Sequence, residues 1–196
     1  MSMAIPEKIK EFMFSPSHAF RKVKDEEAGE TIKYIVILAV FYAIMATVMT
    51  ALRIFIHPFS GFFSSPGDPA LDPLLMVASI ISIVAVTLIF AVIFGFWLHV
   101  WVYLLGGRKG VWQTEKSVFY SATPSFILAW IPIIGTLVGI VWTVIINVIG
   151  IKELQGLNDT RAALSVILGV VIAVIIVVLI LGAMLLAVVS SLPMTV

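Results

Sequence analysis

The sequence predicts an all-α integral membrane protein: a bundle of five transmembrane helices, the third and fourth forming a short Pro/Gly hairpin, preceded by short amphipathic helices. Three observations carry that expectation. Of 196 residues, 61% are apolar and 12% charged, where a soluble domain holds about a quarter charged residues. The apolar residues gather in runs long enough to cross a bilayer, and mean hydropathy reaches +1.16. Lysine and arginine crowd some of the connecting segments and avoid others.

Residues 1–33 read as a cytoplasmic amphipathic arm, and residues 34–196 as the transmembrane domain. Pro6 to Phe14 and Pro16 to Ala28 each place proline at the first helical position, with Ser15 as a cap before the second. On the first helix Ile5, Ile9, Phe12 and Met13 share one face opposite Lys8 and Glu11; on the second, Ala19, Phe20 and Val23 do the same. Two short helices lying on the inner membrane surface is the plain reading, and a docking arm for a cytosolic partner is the alternative. No apolar run precedes Ile35, so no cleavable signal peptide is expected and the first span acts as the insertion signal.

The first span is Ile35 to Ile56, interrupted only by Arg53. The second, Leu74 to Leu105, covers 32 residues, about 48 Å of helix where about 30 Å of hydrocarbon must be crossed, so it tilts or projects. The apolar run from Val118 to Ile151 contains Ile131-Pro-Ile-Ile-Gly135 at its middle. Proline removes a backbone donor and glycine permits a positive φ, which marks a turn. The halves, Val118 to Ile133 and Thr136 to Ile151, are each about 24 Å long, short for a span, and suit either a tilted pair or a re-entrant hairpin. Ala162 to Leu192 is the last span.

Charge placement favours splitting that run. Six bases precede the first span; Arg108, Lys109 and Lys116 lie between the second and third, and Lys152 and Arg161 between the fourth and fifth, leaving Arg53 alone outside. A single span would put Lys152 and Arg161 outside as well. The positive-inside rule therefore gives a cytoplasmic amino terminus and a carboxyl terminus on the opposite side, in the plasma membrane for a prokaryotic host. The outer loop, His57 to Pro73, is rich in proline, glycine and serine, with Phe59, Phe62 and Phe63 at the interface; Asp68 and Asp72 are far short of the six oxygens calcium takes.

Chemistry is sparse. With no cysteine, thiolate catalysis, disulfides and Cys-type metal centres are excluded. There is no Gly-x-Ser-x-Gly, His-Glu-x-x-His or phosphate-binding Gly-x-x-x-x-Gly-Lys, so neither an enzyme, a cofactor nor a metal is expected. A net charge of +1 gives no reason to expect a nucleic-acid partner. Polar residues within spans come down to His99 and Tyr103, four apart on the second helix, and Asn147 on the fourth. They are the candidate intramembrane site of a small transporter or ion pathway, and interhelical hydrogen bonds are the plainer account. Small-residue stripes, Ala39, Ala43 and Thr47, then Gly135 and Gly139, then Ser165, Gly169 and Ala173, permit close helix packing within the bundle or in a homo-oligomer. The candidate contacts for a partner or for lipid headgroups are Lys22, Lys24, Arg108, Lys109, Lys116, Lys152 and Arg161.

The motifs in sequence order are Leu104-Leu-Gly106-Gly107-x-x-Gly110 with Gln113-Thr, Tyr120-Ser-x-x-Pro124, Ile131-Pro132-x-x-Gly135, Trp142, Gly150-x-x-Glu153, and Gly156-Leu-x-x-x-Arg161-Ala. Their order and spacing, with Ser15-Pro16 and Phe20 at the start, resemble the Yip1-domain family from about residue 14 onward. The resemblance implies a five-helix membrane domain with its termini on opposite sides. Eukaryotic members carry a long cytoplasmic arm and are associated with Rab-type small GTPases and membrane trafficking. Here the arm is about thirty residues and the Asp-Leu-x-Gly-Pro element is absent, so the likeness is to compact prokaryotic-type members. The expected role is a non-enzymatic membrane scaffold that recruits a partner or shapes the bilayer.

Overall fold

The computed structural model describes residues 3–51 and 72–191, and every regular element among them is a helix. Two short helices open the chain, α1 (Ile5–Phe14) and α2 (Pro16–Val23), followed by the long α3 (Ala28–Ala51). Next come α4 (Pro73–Leu104), α5 (Val111–Ser121) and the short α6 (Thr123–Leu128), then α7 (Ile134–Gln155) and α8 (Asp159–Ser191). Four of them, α3, α4, α7 and α8, are long and apolar enough to cross a membrane. Where the sequence predicts a further crossing, α5 and α6 run along α7, broken at Ala122 ahead of Pro124 and polar over the first turns of α5. Arg53 and most of the predicted outer loop, Asp68 included, lie outside the described residues.

Helix ends follow local chemistry. The Asp72 Oδ1 accepts the Leu74 N–H at 2.8 Å and caps α4, with Pro73 at the first helical position. At the other end of α4, Gly106 (φ +106°) reverses the chain while the Gly107 N–H returns to the Val102 carbonyl and the Gly106 N–H to that of Tyr103. That is the Schellman closure, which needs glycine at the positive-φ position. Gly156 (φ +71°) ends α7 in the same left-handed conformation, and the Asn158 side chain caps α8 by accepting the Arg161 N–H at 2.9 Å.

The turn before α7 falls where Pro132 predicts it, but its geometry differs. The positive φ belongs to Ile133 (+60°), centre of a tight turn in which the Ile134 N–H reaches the Pro132 carbonyl at 2.7 Å. Gly135 is already helical, and its missing side chain makes room for the Leu128 carbonyl. The small-residue stripes serve packing inside the chain. Ala39, Ala43 and Ser165 are fully buried, and the Gly169 carbonyl accepts the Trp97 indole N–H at 2.8 Å.

The amino-terminal pair departs most from expectation. Its apolar face is not laid on lipid: Phe12, Ala19, Phe20 and Val23 are buried in the same core as Tyr34, Tyr120 and Ile151. Phe12 stacks on Tyr120 with ring centroids 4.5 Å apart and meets Phe20 edge-on at 5.0 Å. Gly150 of α7 lets Phe20 and Ser117 approach, since a Cβ there would overlap both. Lys8, placed by periodicity on the polar side of α1, is buried because Glu26 meets its ammonium at 2.5 Å beneath the Tyr34 and Tyr120 rings. The α2 helix stops at Val23 instead of Ala28, since a lysine from a distant part of the chain takes the carbonyls at its end.

Candidate functional site

The residues with chemical potential lie at one end of the bundle, where the α4–α5 loop, the α7–α8 loop and the α1–α2 pair meet. The two loops interlock through Gln155. Its Oε1 accepts the Lys109 N–H at 3.0 Å, and its amide donates to the Gly110 carbonyl at 2.8 Å and to Thr114 Oγ1 at 3.0 Å. The Lys109 ammonium lies beside Gly156, and the Arg161 guanidinium beside Gly106. Arg108 covers the Tyr103 ring at 3.8 Å and donates to the Tyr103 carbonyl. Lys152 is paired with Asp159 at 2.5 Å, and Arg21 of α2 approaches Glu153 at 3.7 Å.

Arg108, Lys109, Lys152 and Arg161 are therefore exposed neighbours on one surface. Lys22 is close by but engaged, its ammonium 2.6 Å from Glu11. Lys24 is half-buried and contributes its carbonyl to the lysine described next. Lys116 is buried inside the protein, not set among the surface cations. Its ammonium donates to the carbonyls of Val23, Lys24 and Glu26 at 3.1, 3.0 and 2.8 Å, closing the end of α2 and the turn into α3. Burial pulls its pKa below the usual lysine range, against the upward pull of Glu26 and Asp25.

The proposed intramembrane trio is divided. His99 Nδ1 pairs with Thr114 Oγ1 at 2.8 Å, while Asn147 Oδ1 accepts the Ser117 hydroxyl at 2.8 Å on another face of α5. Tyr103 is exposed under Arg108. His99 and Tyr103 are neighbours on α4, with ring centroids 6.4 Å apart, and each of the three residues makes a helix-to-helix or helix-to-loop tie. Tyr120 likewise donates its phenol to Glu26, joining α5 to the α2–α3 turn.

One acidic side chain on α5 is left over, and sequence reading missed it. Glu115 is 4% exposed, and among the described residues neither carboxylate oxygen has a hydrogen-bond partner. It lies against Gly95 of α4, where any Cβ would overlap the carboxylate. It also lines an otherwise apolar cavity of about 530 Å³ with Ile32, Ile35 and Val36 of α3, Leu88, Val92 and Phe96 of α4, and Val111, Trp112 and Phe119. Burial pushes the carboxyl up to about 7. A signal existed: Val111, Trp112, Glu115 and Phe119 share one helical face, which marks a helix beginning before the apolar run at Val118. Among the described residues, no group of three or more His, Cys, Asp or Glu is placed to hold a metal ion.

A family model, the Yip1 domain, matches residues 10–192 of the chain. Comparison with curated proteins and with solved structures finds no match.

Proposed function

The chain belongs to the Yip1-domain family, and we propose that it is a non-enzymatic membrane scaffold that recruits a partner through the end of the bundle where loops and arm meet. One observation carries this reading: Gln155 and Lys116 join two loops and the α1–α2 pair into a folded platform, with Arg108, Lys109, Lys152 and Arg161 exposed on it. Fixed cations on a preformed surface suit an acidic partner or anionic headgroups, because little ordering entropy is lost on binding. The family motif supports the same reading. Gly106, Gly107, Gly110, Gly150 and Gly156 shape the loops or allow the arm to seat, and none of them touches a reactive constellation.

In this reading the platform faces the cytoplasm, in the plasma membrane of a prokaryotic cell, and the carboxyl terminus lies across the bilayer. Residues 118–133 make a short kinked fifth crossing, hairpinned on α7. Arg108, Lys109 and Arg161 changed together to glutamine test the platform, since these side chains are exposed and their removal leaves the Gln155 ties in place. Crosslinking of the full-length chain in native membranes is expected to lose its partner band in the variant, with helix content and membrane insertion unchanged. A band of undiminished intensity refutes the role of this face.

A further inference from the structure

Three cations of the platform have no acid to answer them. We propose that Arg108, Lys109 and Arg161 form a headgroup site for an anionic phospholipid, held by its phosphate while its chains lie against α4. The site rests on the platform reading and names one ligand of that surface.

The fold gathers these charges. Lys109 belongs to the α4–α5 loop, yet its ammonium lies on Gly156 of the α7–α8 loop, where a Cβ would stand 2.7 Å from Nζ. Arg161 reaches the other way, its guanidinium 3.4 Å from where a Cβ on Gly106 would be. Gln155 ties the same two loops together. Bringing like charges together costs energy unless an anion joins them, and the chain supplies none. Residues 105–114 contain no Asp or Glu, and the acids of the α7–α8 segment are taken, Asp159 by Lys152 and Glu153 by Arg21. Arg108 donates to the carbonyls of Tyr103 and Gly107, and among the described residues none of the three side chains forms an ion pair.

Position makes the missing anion a lipid's. Both α4 and α8 are long and apolar enough to cross a membrane. The last turns of α4 carry Trp97, Trp101 and Tyr103, the aromatic residues that gather at headgroup level. Arg108 lies on that belt, its guanidinium 3.8 Å from the centre of the Tyr103 ring. On the membrane side of the cations, Val100 and Leu104 of α4 are 51% and 67% exposed, and Leu164, one turn from Arg161, is 43% exposed. On crossing helices such side chains meet acyl chains. Cations set directly above an apolar wall match a molecule that carries a phosphate and chains together; an acidic protein segment arriving from water would leave the wall unused. Each arginine offers a fork of N–H donors that fits phosphate oxygens, and the lysine adds a compact charge.

The test titrates full-length protein in detergent with phosphatidylglycerol or phosphatidylcholine bearing identical chains, and counts bound lipid by native mass spectrometry. Wild type is expected to bind its first phosphatidylglycerol about tenfold more tightly, as charge-assisted hydrogen bonds would give. Arg108→Gln combined with Arg161→Gln is expected to bring the two lipids within about twofold of each other. Lys10→Gln combined with Lys33→Gln removes the same charge from two other exposed residues and is expected to keep the preference, because diffuse attraction follows net charge and a site does not. A molar excess of inorganic phosphate is expected to leave the lipid bound, since it brings no chain for Val100 and Leu104. Equal binding of the two lipids by wild type, equal loss in the two double variants, or displacement by inorganic phosphate overturns the proposal. The crosslinked partner band reports separately: equal lipid binding by wild type with that band lost in the Arg108, Lys109 and Arg161 variant overturns the lipid site and leaves the platform with a protein ligand.

Discussion

Replacing Lys116 by methionine keeps the unbranched apolar stem of the side chain and removes its three donors. The carbonyls of Val23, Lys24 and Glu26 lose partners at 3.1, 3.0 and 2.8 Å, and Lys116 is 1% exposed, so water does not simply replace it. Each hydrogen bond to a charged group contributes about 1.5–3 kcal/mol, but one ammonium shares its charge among three acceptors and the cost of burying it is recovered on substitution. A net loss of about 3 kcal/mol for the docking of α1 and α2 follows from these opposing terms. At 1.4 kcal/mol per decade, local opening of the arm becomes about a hundredfold more frequent. Hydrogen exchange in detergent is expected to accelerate by that factor over residues 5–27, with α4 and α8 unchanged. An increase below about twofold in the arm, or equal acceleration in every helix, refutes the idea that Lys116 is a latch specific to this layer.

Glu115 gives a pH signature. Its folded pKa, about 7, lies above the ordinary 4.5, so the folded chain binds this proton more tightly than the unfolded chain. Its contribution is complete below about pH 4.5 and is lost as pH rises through about 7, a change on the order of 3 kcal/mol. Thermal stability of wild type relative to Glu115→Gln should fall across that interval, and parallel curves would count against the buried carboxyl. Gln155→Leu removes all three bonds that tie the end of α7 to the α4–α5 loop and to Thr114 of α5. Trypsin should then cut at Arg108 and Lys109 at least severalfold faster, with the helices intact by circular dichroism; an unchanged rate would show that the glycine turns alone hold the loop.

The four long helices were legible because hydropathy over about twenty residues overwhelms local detail. Their ends were legible where the cap is local, as at Asp72-Pro73 and at Gly106. The start of α5 was hidden because Glu115 and Lys116 look like loop charges. What buries Lys116 is a set of carbonyls some ninety residues earlier in the chain, and no window around residue 116 contains them. Lys8 was misplaced for the same reason, its partners being Glu26, Tyr34 and Tyr120. The Pro132 turn was placed correctly but assigned its strained conformation at the wrong residue. Glycine at 135 is required by the approach of Leu128, a packing demand that a turn rule does not see.

The misses at Lys116 and Lys8 share a cause, which is that α5 is a polar helix inside an apolar bundle. A buried polar group is tolerated only with a partner, and α5 meets that demand on successive faces. Thr114 joins α4 to Gln155, Lys116 and Tyr120 hold the arm, and Ser117 ties to Asn147. A conduction path would need such groups to bond along a file. Here they bond outward from one helix to different neighbours, which is the pattern of a structural post. Glu115 alone on this helix has both side-chain oxygens buried without a partner. A post that satisfies Thr114, Lys116, Ser117, Tyr120 and Ser121 within the chain, and packs the Glu115 carboxyl into the notch at Gly95, is a helix that holds its neighbours in place.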